Sequence, residues 1–201
     1  MKKLLVALLM VTMSFALFGC GQNGEGNVSN ENNVPSEEQT VTFEGDSESI
    51  LTDVWSTYAE EEKFPAMGGD YTTMVDGAPG AVDVTKTEDM TAMLQMPAEL
   101  AGQFDEAASL VHGMNLNTFT SVAIHLTDAS GKDAFTTTLK DSIMATQWIC
   151  GFPDTLVIFT VHDEYVVYAF GNAEAIENFK NKLTDVFGEN VTLVVEESLA
   201  G

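Results

Sequence analysis

No arginine occurs anywhere in the 201 residues, and only eight lysines stand against 31 aspartates and glutamates, a formal net charge of −23. Phosphate backbones are held by clustered cations, usually including the bidentate guanidinium fork, so nucleic acid is excluded as a partner class. The same shortage removes an electrostatic grip on anionic lipid headgroups and the usual clamp for carboxylate or phosphate substrates. Cysteine is equally scarce: Cys20 and Cys150 alone cannot build a multi-disulfide scaffold. There is no G-x-S-x-G elbow, no P-loop and no C-x-x-C pair. Gly19-Cys20-Gly21-Gln22-Asn23-Gly24 has dinucleotide-loop spacing but lacks the strand before it and the helix after it, so it is spurious. Among so many carboxylates some pair always looks suggestive of glycoside hydrolysis, and pairing in sequence alone carries no weight.

What the chain does carry begins at its first residues. Lys2 and Lys3 precede an apolar run from Leu4 to Phe18, too short for a comfortable membrane span and flanked like a secretory leader. Leu17-Phe18-Gly19-Cys20 resembles the lipobox of bacterial lipoproteins, in which the cysteine is lipidated and becomes N-terminal; Phe18 is bulkier than the residue usual there. Residues 1–19 are therefore expected to be a lipoprotein signal peptide and Cys20 the lipid attachment site, with palmitate among its acyl groups. The alternative is an ordinary cleaved signal with a chance cysteine. Loss of the two leader lysines leaves six against 31 acids, a balance of −25. From Gly21 to Asp46 the chain is rich in Asn, Glu, Gly and Ser and offers too little apolar surface to offset ordering entropy. Residues 20–46 read as the lipidated cysteine and a disordered tether spanning roughly 28 Å as a flexible coil.

Residues 47–199 read as a single α+β domain. Phe119 to Thr127 alternates as a strand does, and Phe135, Leu139 and Ile143 recur every four residues, predicting a helix that runs to near Trp148 and stops at Gly151. Leu156 to Val161 and Tyr165 to Gly171 are β-rich runs joined by His162-Asp163-Glu164, a hairpin. Asn172 opens a helix with Ile176, Phe179, Leu183 and Phe187 on one stripe, and Val191 to Val195 supplies a last strand. The order β-α-β-β-α-β predicts a ferredoxin-like antiparallel sheet. Both faces of the hairpin strands are apolar, yet two helices cover one face only, so additional N-terminal helices are expected on the second. The candidates are a stripe of Ile50, Leu51, Val54, Trp55 and Tyr58, and another of Leu100, Phe104, Ala107, Ala108 and Val111 between Pro97 and Gly113. Phe64 to Val84 reads as a long ordered loop, the sort of segment that carries function.

The candidate chemistry is sparse. With Cys20 acylated, Cys150 is the one free thiol. Trp148-Ile149-Cys150-Gly151-Phe152-Pro153 echoes the thioredoxin W-C-G-P-C without its second cysteine, and it follows a helix, where the dipole disfavours thiolate. A buried structural cysteine is expected, with a redox or partner contact as the alternative. Met90, Met93 and Met96 have the spacing of a soft-metal stripe but equally that of a core. Asp70, Asp76 and Asp83 match no calcium-loop spacing. His112, His125 and His162 lie too far apart for a zinc motif and read as structural. No metal and no cofactor are expected.

Three segments, Met114-Asn115-Leu116-Asn117-Thr118-Phe119-Thr120, Thr146 to Asp154, and Tyr165-Val166-Val167 with Ala169-Phe170-Gly171, resemble a family of uncharacterised lipoproteins from Gram-positive bacteria. Some of its members are loosely labelled bacteriocin transport accessory proteins. That label implies a redox pair this sequence lacks, so the resemblance transfers no catalytic residue. The expectation is a non-enzymatic accessory or binding protein, lipid-anchored on the extracytoplasmic face of the cell membrane, monomeric, with an envelope protein or small ligand as partner. Trp148, Cys150 and Asp154 are the candidate contacts. The alternative is a thiol-dependent redox or transport accessory protein using Cys150.

Overall fold

The computed structural model describes residues 43–200; the leader, Cys20 and the tether up to residue 42 lie outside the described residues. Four helices, α1 (Ser47–Ser56), α2 (Thr87–Leu94), α3 (Lys132–Met144) and α4 (Ala173–Phe187), pack on an eight-stranded antiparallel sheet. Its strands are β1 (Ala66–Gly68), β2 (Val75–Asp76), β3 (Gly80–Ala81), β4 (Phe104–His112), β5 (Phe119–Leu126), β6 (Thr155–Val161), β7 (Tyr165–Gly171) and β8 (Val191–Ser198). The sheet runs β2-β1-β4-β5-β7-β6-β8, with β3 also paired to β4.

The β-α-β-β-α-β order of the C-terminal half is present, but its strand order is not ferredoxin-like. In that fold the last strand would lie beside the first; here β8 pairs with β6 at the far edge, and β4 takes the place beside β5. Handedness then settles where the helices go. β5 and β6 are parallel across β7, and β7 and β8 are parallel across β6, so both connections step the same way along the sheet from strands of opposite direction. Right-handed crossovers of that kind place their helices on opposite faces. Accordingly Ile176, Phe179 and Leu183 of α4 pack with α1 on one face. Phe135, Leu139 and Ile143 of α3 pack with α2 on the other. Each face therefore has one N-terminal and one C-terminal helix, a correction to the expectation that α3 and α4 would share a face.

Consecutive residues of β7 serve the two cores in turn. Tyr165, Val167 and Ala169 face α1 and α4, while Val166, Tyr168 and Phe170 face α2 and α3. This two-sided burial explains the continuous apolar runs. Tyr168 is fully buried and donates to the Leu94 carbonyl at 2.7 Å, fixing the end of α2 to the sheet. Met90, Met93 and Met96 are buried in the same layer as core.

The second expected helix is instead β4. Phe104, Ala107 and Val111 do share a face, at the three- and four-residue spacing of a helix, because the register shifts at Asp105. A β-bulge adds one residue and so turns two-residue spacing into three. Ser109 occupies the intervening position on that face, and Ala108 and Leu110 point to the other core.

The last residues of the expected tether are packed against the domain. Phe43 stacks on His162 at 4.4 Å and meets Tyr165 and Phe187 edge-on. Tyr165 donates to the Gly45 carbonyl, and Asp46 caps α1 by accepting from the Ser49 backbone N–H at 2.7 Å. The long loop from Phe64 to Val84 contains β1 to β3 and is gathered round the Asp70 carboxylate. It accepts from the backbone N–H groups of Thr72, Thr73 and Asp83 and from the Thr72 hydroxyl.

Candidate functional site

β4 ends, and β5, β6 and α4 begin, at one end of the sheet, and two connecting loops meet there: Gly113–Thr118 and Ala145–Asp154. α3 stops at Met144, four residues before the expected Trp148. Beyond it the backbone carbonyls are taken by asparagine side chains rather than by helical N–H groups. Asn117 Nδ2 donates to the carbonyls of Ile149 and Gly151 at 3.2 and 3.0 Å, and Asn115 Nδ2 to that of Cys150 at 3.3 Å. These two asparagines lie within the first resembling segment, yet their spacing in sequence gave no hint that they brace a loop more than thirty residues away.

The clamp displays what it holds. Ile149 and Phe152 are 79% and 73% exposed, and Met114 on the facing loop 81%. Cys150 is exposed, contrary to the buried cysteine expected, and has φ of 64°, a left-handed conformation costly for any residue with a Cβ. The cysteine stands five residues past the helix C-cap at Ala145, so the core that ends with Ile143 never reaches it.

Trp148 is half-buried with its ring 5.1 Å from Phe170. Together with Met93, Leu116, Asn117 and Ile149 these side chains line a groove of about 270 Å³ on the α2–α3 face. Asp154 turns out to be structural. Its carboxylate accepts from the Ala173 N–H at 3.1 Å and so caps α4, and its backbone bonds to Gly171 and Leu199. Asn172, the expected cap, makes no capping hydrogen bond. Gly171 completes the junction, since a Cβ there would run into the Thr118 carbonyl. The first two resembling segments and the Ala169–Gly171 part of the third thus meet at this end of the sheet, while Tyr165–Val167 lie toward the β6–β7 turn at the other.

A second groove, of about 410 Å³, opens at the same end on the α1–α4 face. Tyr58, Glu61, Glu62 and Phe64 come from the segment after α1, and Asn172 and Glu174 from the start of α4. Burial, with the charge of Glu62 second, pushes the Tyr58 phenol upward, so it stays protonated. Sequence reasoning placed Tyr58 on a core stripe and did not single out this groove, because its halves are more than a hundred residues apart.

Each histidine packs on or bonds to a neighbouring side chain. His112 stacks on Phe64 at 5.4 Å, His125 Nδ1 lies 2.6 Å from Asp105, and His162 packs on Phe43. Among the described residues, no group of three or more His, Cys, Asp and Glu side chains is arranged to hold a metal ion. Asp70 and Asp83 come together at the Lys86 ammonium, 3.7 and 3.6 Å away, while Asp76 lies exposed on β2. No family model, curated protein or solved structure matches the chain.

Proposed function

We propose that the protein is a lipid-anchored lipoprotein on the extracytoplasmic face of the cell membrane, of the Gram-positive family it resembles, with a non-enzymatic binding role. The supporting observation is the polarity of the fold. The described chain enters at Phe43, against the β6–β7 turn, while the braced loops, their exposed apolar side chains and both grooves lie at the other end of the sheet. Eight-residue strands separate those ends by about 26 Å. A domain held by a lipid on Cys20 then presents its loops away from its point of attachment.

Radiolabelled palmitate fed to producing cells tests the anchor. Label on the wild-type protein, with Cys20→Ser unlabelled and released to the medium, is the expected result. Unlabelled wild-type protein overturns it. A membrane-impermeant maleimide should modify Cys150 on intact cells; protection until lysis would place the domain on the cytoplasmic side.

The exposure of Cys150 keeps the thiol-dependent accessory role as a second reading. An activated thiolate attacks disulfides faster at neutral pH than an ordinary thiol does. Reaction of the native protein with an aromatic disulfide at no more than the rate of free cysteine rules that role out.

A further inference from the structure

The two braced loops differ in composition from the rest of this acidic chain. Gly113–Thr118 and Ala145–Pro153 contain no Asp, Glu or Lys, and neither do the residues lining the groove on the α2–α3 face. Elsewhere the exposed apolar residues stand beside carboxylates: Leu193 and Val194 precede Glu196 and Glu197 on β8, and Met74 and Val75 precede Asp76. At the loops the exposed set is Met114, Ile149 and Phe152, with Trp148 half-buried among them. Absence of charge together with methionine and aromatic side chains is the composition of an interface core, not of solvated surface. The loops are also set before anything binds. Asn115 and Asn117 hold the consecutive carbonyls of Ile149, Cys150 and Gly151, so docking needs little further ordering.

We infer that this end is the contact between two copies of the chain in a two-fold dimer. A two-fold interface must be complementary to itself. Both halves are present here. Phe152 is exposed outside the groove, three residues along the chain from Ile149 at its wall, and the groove, about 270 Å³, has room for an aromatic ring. Charge favours the same partner. Two such acidic domains repel across most of their surface, and only an uncharged patch lets them meet without desolvating carboxylates against each other. A cationic protein would find no carboxylate in the patch to pair with, since the neighbouring Asp154 is engaged in capping α4. Six residues of one loop and ten of the other, with Ala92, Met93, Gln95 and Phe170 behind them, come close to the roughly 20 residues a side of a small specific interface. A dimer of that size, opposed by repulsion, has a Kd on the order of micromolar. It then dissociates on the order of once a second, which leaves Cys150 open to maleimide between contacts. This dimer replaces the monomer expected from the sequence. The inference rests on the reading of this end as the binding end and names its partner, but not on lipidation of Cys20, which the palmitate experiment tests separately.

Sedimentation equilibrium of the full-length protein in density-matched detergent, from about 0.1 to about 100 µM, reads the dimer directly. A rise to twice the protein mass with concentration is expected for wild type and for Cys20→Ser alike. Because repulsion opposes it, the association should tighten at least about threefold between roughly 0.05 M and 0.5 M sodium chloride. Phe152→Glu and Ile149→Glu should each weaken it at least about tenfold. Their melting temperatures should not change, since both side chains are exposed in the single copy. Leu193→Glu, which adds the same charge on β8, should stay within about threefold of wild type. A single-copy mass at every concentration overturns the inference, and so does association that weakens with salt. Loss of the dimer in Cys20→Ser overturns it in favour of lipid or micelle contacts, and equal losses in Phe152→Glu and Leu193→Glu overturn it by removing the loops from the interface.

Discussion

A carboxylate taken out of water must have its oxygens occupied or it destabilises the fold by several kcal/mol. Asp70 is 2% exposed and meets that demand with four hydrogen bonds, three of them from backbone N–H groups, and with the Lys86 ammonium 3.7 Å away. Burial alone would raise its pKa; the bonds from Thr72, Asp83 and Thr73 outweigh it and hold the carboxyl far below its ordinary value of 3.8. The folded-state pKa is therefore below that of the unfolded chain. The stabilisation is present in full above the ordinary value and is lost as pH falls through it toward the folded-state value. Asp70→Ala, which strands the Thr72, Thr73 and Asp83 donors, should cost about 3 kcal/mol at pH 7, and Asp70→Asn less. Urea unfolding at pH 7 and pH 3 checks this: the gap between wild type and Asp70→Asn should narrow at the lower pH, and a constant gap would refute it. The sequence marks Asp70, Asp76 and Asp83 as equivalent loop acids. Their difference arises when the backbone N–H of Asp83 folds back on Asp70, a contact no spacing rule encodes.

Among the elements, those with one continuous pattern were legible. β5, β6, β7 and α4 follow their apolar runs and stripe closely because each buries its surface along its whole length. β4 was misread, since a single bulge at Asp105 gave a strand the spacing of a helix. The edge chosen by β8 was not legible at all. Beside β5 or beside β6, its own sequence would read alike, and the choice depends on β4 already occupying the former place. Half of the candidate site was visible as the segment from Trp148 to Asp154, but its brace was not, because asparagine contacts across distant loops leave no periodic trace. The same logic assigns Asp154 to the fold rather than to a ligand. A carboxylate at a helix N-terminus satisfies an orphan N–H and complements the dipole. Asp154→Ala should destabilise the protein by about 1 kcal/mol, with faster hydrogen exchange confined to the first turn of α4. Unchanged exchange there would show that α4 does not depend on this cap.

At the scale of the molecule, the scarcity of cations becomes an arrangement. All six lysines of the described residues, Lys63, Lys86, Lys132, Lys140, Lys180 and Lys182, lie within ion-pair distance of a carboxylate. Several tie elements together: Lys132 joins the start of α3 to the β6–β7 turn, Lys180 joins α4 to β8, and Lys182 joins α4 to the segment after α1. Such exposed pairs contribute little individually. With 31 acids against eight lysines in the whole chain, most carboxylates have no cation to meet, so the folded domain works against its own repulsion. Salt weakens both effects, but their ranges differ. The pairs act over 2.6 to 3.7 Å, whereas the surplus charge acts across the whole surface and is the part most screened as the Debye length shrinks from about 30 Å at 0.01 M to about 8 Å at 0.15 M. Repulsion should therefore lose more than the pairs do, and the melting temperature at pH 7 should rise by about 3 °C over that interval, equivalent to roughly 1 kcal/mol for a chain of this size. Sodium chloride and choline chloride should act alike if screening is the cause. A melting temperature that falls with salt would mean that the six lysine pairs stabilise the domain more than its unpaired acids strain it.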